Sequence, residues 1–138
     1  MGKRRILIVD DEQAFARLLK LALERTGDYE VRVENAGTRA LSAAQQFAPD
    51  LVLLDVIMPD MEGGKVAAQL RTDPALATVP IVFLTAIVST KELPVQGALV
   101  GGFPFIAKPA TAGQVIQCLE RHLPPPQEPA ALPVGQPV

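Results

Sequence analysis

The chain has 138 residues, 49% hydrophobic but only 4% aromatic, which is the size and make-up of one domain with an aliphatic core. A formal net charge of −2 gives no footprint for nucleic acid or an anionic membrane, and one cysteine, Cys118, excludes an internal disulfide and fits a reducing compartment. With no run of about 18 apolar residues and no apolar signal segment after Met1, the chain reads as soluble and cytoplasmic.

The basic run Lys3-Arg4-Arg5 leads into a short apolar strand, Ile6 to Val9, which ends in Asp10, Asp11 and Glu12. From Glu12 to Thr26, Phe15, Leu18, Leu19, Ala22 and Leu23 recur at helical spacing, and Gly27 stops the helix. Tyr29, Val31 and Val33 alternate with polar neighbours, as in a strand near a sheet edge. Asn35 to Thr38 forms a turn, and a helix follows with Ala40, Leu41, Ala44 and Phe47 inward, leaving at Pro49.

Leu51 to Leu54 is a continuous apolar run, the signature of a strand covered on both faces, and it closes on Asp55. Pro59 keeps Met58 out of helical geometry, so a loop follows before a helix that starts at Gly63-Gly64 and turns Val66, Ala67 and Leu70 inward. After a loop bracketed by Asp73-Pro74 and Pro80, Ile81 to Leu84 is a fourth strand ending at Thr85. Ser89 to Leu99 predicts a helix made short or irregular by Pro94. Phe103 to Ala107 is a fifth strand, which Pro104 assigns to the sheet edge. Lys108-Pro109 precedes a last helix over Thr111 to His122, with Val115, Ile116 and Leu119 inward. The pattern is α/β with a parallel sheet of five strands and five helices, occupying residues 1–123. Residues 124–138 hold six prolines and one charge and are expected to be an extended tail or linker.

Parallel strands share a rim at their carboxyl ends, where open sheets bind ligands. Asp10 and Asp11, Asp55, Thr85 and Lys108 all stand at strand ends, so acids, a hydroxyl and an ammonium converge. Each has a plainer use: the acid pair can cap the next helix, Thr85 can end a strand, and Lys108 can be a solvated tip. Together, those uses require coincidences at four separate strand ends. Clustered carboxylates repel unless a cation joins them, and oxygen-only donors suit Mg²⁺. A carboxylate nucleophile, a divalent cation and an ammonium are the parts needed for phosphoryl transfer to aspartate.

The ordered motifs ILIVDDE, the NAG turn before RAL, DLVLLDVIMPDMEGG, VPIVFLTA and FIAKP make the chain similar to the receiver domain of bacterial response regulators in two-component signalling, over roughly Lys3 to Leu123. The resemblance implies a flavodoxin-like, doubly wound sheet of order 2-1-3-4-5. It implies phosphorylation of Asp55 by a histidine kinase or phosphotransfer protein, without turnover of a free substrate. Asp10, Asp11, Asp55 and the carbonyl of Ile57 would hold Mg²⁺. Thr85 and Lys108 would bind phosphoryl oxygens, and Phe105 would be the switching aromatic that turns inward as Thr85 moves. A cis Lys108-Pro109 bond is implied too. A homodimer or output partner would engage the face of the fourth helix, fifth strand and fifth helix, and the chain itself would bind no nucleic acid.

Three features depart from the family pattern. Gly101-Gly102-Phe103-Pro104 replaces the usual residues before the aromatic, and Pro94 disturbs the fourth helix, so both alter the output face. Leu93, Val95, Leu99 and Val100 leave apolar side chains there, divided between core packing and a partner. Ile57 and Ile87, two residues after Asp55 and Thr85, offer no group to orient water, which predicts slow autodephosphorylation. The altered face motivates a rival reading, a receiver-like adaptor that binds partners independently of phosphate. The intact Asp10, Asp11, Asp55, Thr85 and Lys108 weigh against it. A haloacid-dehalogenase-type hydrolase wants an acid two residues after the nucleophile, where Ile57 stands.

Overall fold

A computed structural model describes residues 2–86, 99–100 and 103–124. These described residues form six strands and four helices: β1 (Arg4–Val9), α1 (Gln13–Arg25), β2 (Tyr29–Glu34), α2 (Ala40–Phe47), β3 (Leu51–Asp55), α3 (Gly63–Thr72), β4 (Ile81–Thr85), β5 (Leu99–Val100), β6 (Phe103–Ala107) and α4 (Ala112–His122). A single 3-10 turn, Gly37–Arg39, leads into α2.

The sheet order is β2-β1-β3-β4-β6-β5. The first five strands of that order run parallel, with Ile6 opposite both Val31 and Leu51, Asp55 opposite Leu84, and Thr85 opposite Ala107. This is the 2-1-3-4-5 arrangement, with the fifth parallel strand here labelled β6. β5 adds two antiparallel residues, Leu99 opposite Pro104 and Val100 opposite Phe103.

Alternation along the strands divides the core between two layers. Ile6, Ile8, Leu51, Leu53, Val82, Leu84 and Ile106 pack with Leu19 and Leu23 of α1 and Val115 and Leu119 of α4. Leu7, Val9, Val52, Leu54, Phe83 and Phe105 pack with Ala40 and Ala44 of α2 and Val66 and Leu70 of α3. Every residue of β3 and β4 is buried, so neither strand could show the polar alternation seen in β2.

Five expectations are corrected or refined. The buried stripe of α1 is Ala16, Leu19 and Leu23, while Leu18 is 67% exposed. Two overlapping apolar stripes run along this helix, and the packing against β1 and β2 selected the one with the small Ala16. In α2 the buried residues are Ala40, Ala43 and Ala44, with Leu41 and Phe47 at the margin. That helix ends at Ala48, in the left-handed region at φ 54°, before Pro49 is reached. At the fifth parallel strand, Pro104 does not lie on an open edge, because β5 pairs outside it; the pairing is two residues long, as suits a strand lacking one donor. Leu99, expected at the end of a helix, belongs to β5. The rest of that expected helix, Ile87, Pro94 and the tail from residue 125 lie outside the described residues.

The last helix opens with Thr111, whose hydroxyl accepts the Gln114 N–H while the Gln114 side chain accepts the Thr111 N–H. No helix among the described residues is long and apolar enough to cross a membrane.

Candidate functional site

The strand ends meet as the apolar pattern requires. Asp10 follows β1, and three contacts fix it: its N–H donates to the Glu34 carbonyl (3.0 Å), its own carbonyl accepts the Asn35 side-chain amide (2.8 Å), and its Oδ1 accepts the Glu12 N–H (2.9 Å). Asp55 closes β3, and its Oδ1 accepts the Ile57 N–H at 3.3 Å. Lys108 is tied by its own N–H to the Thr85 carbonyl at 2.7 Å, which brings the ends of β4 and β6 together. The Lys108-Pro109 peptide is cis.

The loop after Asp55 is braced from two sides. The Asp60 carboxylate accepts the Gly37 and Thr38 N–H groups at 3.2 and 2.9 Å, which holds its own pKa low. Gly63 donates to the Val56 carbonyl at 2.8 Å. A Cβ on Gly63 would fall 2.4 Å from the Asp55 carbonyl oxygen and 2.9 Å from the Val56 Cα, so the start of α3 approaches β3 only as glycine.

Asp10 and Asp55 are buried, and a carboxylate oxygen from each of Asp10, Asp11 and Asp55 lies within 4.8 Å of the others. The Lys108 ammonium lies 2.8 Å from Asp10 Oδ2, 2.8 Å from Glu12 Oε1 and 3.7 Å from Asp55 Oδ2. Burial, then the Asp10 charge and the Asp11 carboxyl, push the Asp55 pKa up to about 7, against the opposing pull of Lys108 and the Ile57 N–H. Burial works against the Lys108 ammonium, but Asp10 and Glu12, with Asp55 behind them, outweigh it and hold its pKa above the usual lysine value. One lysine therefore faces more negative charge than it neutralises.

That imbalance tests the fit of a cation. The three acids are oxygen-only donors. Asp10 Oδ2 is buried with no hydrogen bond, its ion pair with Lys108 lying off hydrogen-bond geometry. A hard divalent cation such as Mg²⁺ fits this set.

All five strand-end residues picked out in the sequence are thus on one rim. Thr85 is buried there, and Phe105 is buried in β6, on the layer shared with Phe83. Ile57 stands on the rim and is 55% exposed. Sequence reasoning missed Glu12 and Phe15. Glu12 reaches Lys108 across 96 positions, and the Phe15 ring lies 4.8 Å beneath the same ammonium. Their one signal was adjacency to the acid pair, which a helix start explains equally well.

The family model of the response regulator receiver domain matches residues 6–120. This chain belongs to the response regulator receiver family. The DNA-binding response regulator MtrA of Mycolicibacterium paratuberculosis is 41% identical over 121 residues, covering 88% of this chain and 52% of that protein. The response regulator PleD of Caulobacter vibrioides is 41% identical over 106 residues, covering 76% of this chain and 23% of that protein. The chain therefore spans about half the length of MtrA and less of PleD. Among solved structures, the chemotaxis protein CheY4 of Vibrio cholerae superposes with a TM-score of 0.77 at 29% identity, over 88% of this chain and all of that one. The chain shares its family with these response regulators and its fold with CheY4.

Proposed function

We propose that this receiver domain is a phosphorylation-activated switch, taking a phosphoryl group on Asp55 from the phosphohistidine of a histidine kinase or phosphotransfer protein. The observation that carries the reading is the convergence of Asp10, Asp11 and Asp55 within 4.8 Å, with Lys108 at 3.7 Å from Asp55. In the step, an Asp55 oxygen forms a bond to phosphorus as the P–N bond breaks, and the imidazole leaves with the electron pair. Bound Mg²⁺ supplies charge neutralisation at the phosphoryl oxygens and favours the ionised form of Asp55. Asp10, Asp11, Asp55 and the Ile57 carbonyl are its proposed ligands. Lys108 and Thr85 bind the remaining phosphoryl oxygens, one as a charge and one as a hydroxyl donor. Asp55 is the domain's own acceptor, so no free substrate is turned over.

Movement of Thr85 toward the phosphoryl group would be read by Phe105 two strand positions from Ala107, and by the surface of β6 and α4. Phe105 already lies buried, and it has no hydroxyl that would bond to solvent when turned out. An output partner or a second copy would dock on that side. The adaptor alternative draws support from the antiparallel Leu99–Pro104 pairing beside β6; it predicts partner binding that phosphorylation leaves unchanged.

The test is incubation with acetyl phosphate and Mg²⁺, read by intact-protein mass. Gain of one phosphoryl group by the wild type and none by Asp55→Ala is expected. No gain, or equal gain by the variant, overturns the proposal.

A further inference from the structure

The Lys108 ammonium has three protons and more than three claimants. It lies 2.8 Å from Asp10 Oδ2, 2.8 Å from Glu12 Oε1, 3.7 Å from Asp55 Oδ2, and 4.8 Å from the centre of the Phe15 ring. The lysine and Asp10 side chains are 7% and 0% exposed, whereas Glu12 is 62% exposed. We propose that Glu12 is a positioning residue that draws the Lys108 ammonium beyond hydrogen-bond distance of Asp55 and competes for it with the phosphoryl oxygens. This rests on Asp55 as phosphoacceptor.

The physical reason lies in which contact Lys108 can give up. Asp10 is anchored through its amide, its carbonyl and its Oδ1, and leaving its buried charge without the ammonium is costly. Glu12 faces water, so its carboxylate can be rehydrated when the ion pair opens. It opens the first helix, as the N-cap of α1, with no side-chain cap bond, so its carboxylate is not committed to the helix amides. Glu12 therefore sets a resting hold that any oxyanion on Asp55 must overcome. Exposed ion pairs are worth little, so the hold corresponds to a factor of about two to five in affinity.

A plainer effect of Glu12 would be repulsion of incoming anions, and that effect would not depend on Lys108. The two separate in a double-mutant cycle with beryllofluoride, at saturating Mg²⁺, titrated calorimetrically into wild type, Glu12→Gln, Lys108→Met and the double variant. We expect Glu12→Gln to tighten binding about two- to five-fold when Lys108 is present, and by nothing measurable when it is not. No change in the single variant, or the same gain without Lys108, overturns the inference. Should Lys108→Met bind too weakly to measure, the proton–nitrogen signal of the Lys108 ammonium decides. Faster solvent exchange in Glu12→Gln supports the hold and unchanged exchange overturns it. Wild-type protein that binds no beryllofluoride overturns the phosphoacceptor reading itself, a result distinct from a failed cycle.

Discussion

Replacing Asp55 by asparagine should stabilise the metal-free domain, and the gain should depend on pH. Asp55 is buried beside Asp10, and its pKa of about 7 lies well above the ordinary 3.8. The folded protein thus holds a proton across a range in which the unfolded chain has released it. Stability then falls as pH rises from about 4 to about 7, and flattens above that. Roughly three pKa units at about 1.4 kcal/mol each set a ceiling near 4 kcal/mol. The rim is open to solvent and Lys108 shares the charge, so we expect about 1–3 kcal/mol. Asparagine keeps the shape and carries no charge, so other titrating groups cancel in the comparison. Urea denaturation of both proteins in EDTA at pH 4, 6 and 8 measures the difference. It should be near zero at pH 4 and largest at pH 8, where the variant is the more stable. Added Mg²⁺ should then stabilise the wild type more and narrow the gap. A gap that ignores pH, or a less stable variant at pH 8, would refute the reasoning.

Gly63→Ala places a methyl against backbone 2.4 Å away, so β3 or α3 must shift; a loss of about 1–3 kcal/mol with weakened Mg²⁺ binding is expected by thermal melts and metal titration. Leu53→Ala empties a fully buried position in the core layer that the sheet shares with α1 and α4 and should cost about 2–5 kcal/mol in urea midpoint analysis. Thr111→Ala removes the hydroxyl half of the capping box and should cost about 0.5–2 kcal/mol, with serine restoring most of it. Ile57 stands exposed on the rim, so Ile57→Asn should bring a water-orienting group to the acyl phosphate and shorten its half-life; an unchanged decay rate refutes the screening role.

The mapping from sequence to site was uneven for identifiable reasons. Continuous apolar runs such as Leu51 to Leu54 report burial on both faces, so the β3 strand and the acid closing it stood out directly. Parallel topology then forced Asp10, Asp55, Thr85 and Lys108 onto one rim without knowledge of a single distance. By contrast, α1 carries two apolar stripes of similar quality, and only the packing of Ala16 against the sheet chose between them. The left-handed stop at Ala48 gave no glycine to announce it.

What the amino-acid order determined by itself was the alternation of strands and helices, and which polar groups interrupt the strands at their ends. Those are local properties, written in periodicity and in single exceptions to it. Tertiary structure decided how the charges at the rim are shared. The Glu12 carboxylate meets Lys108 across 96 positions, and α3 closes on the Asp55 carbonyl because Gly63 has no side chain. Neither contact has a local signature, because each depends on how closely separate elements approach once the core between them is packed.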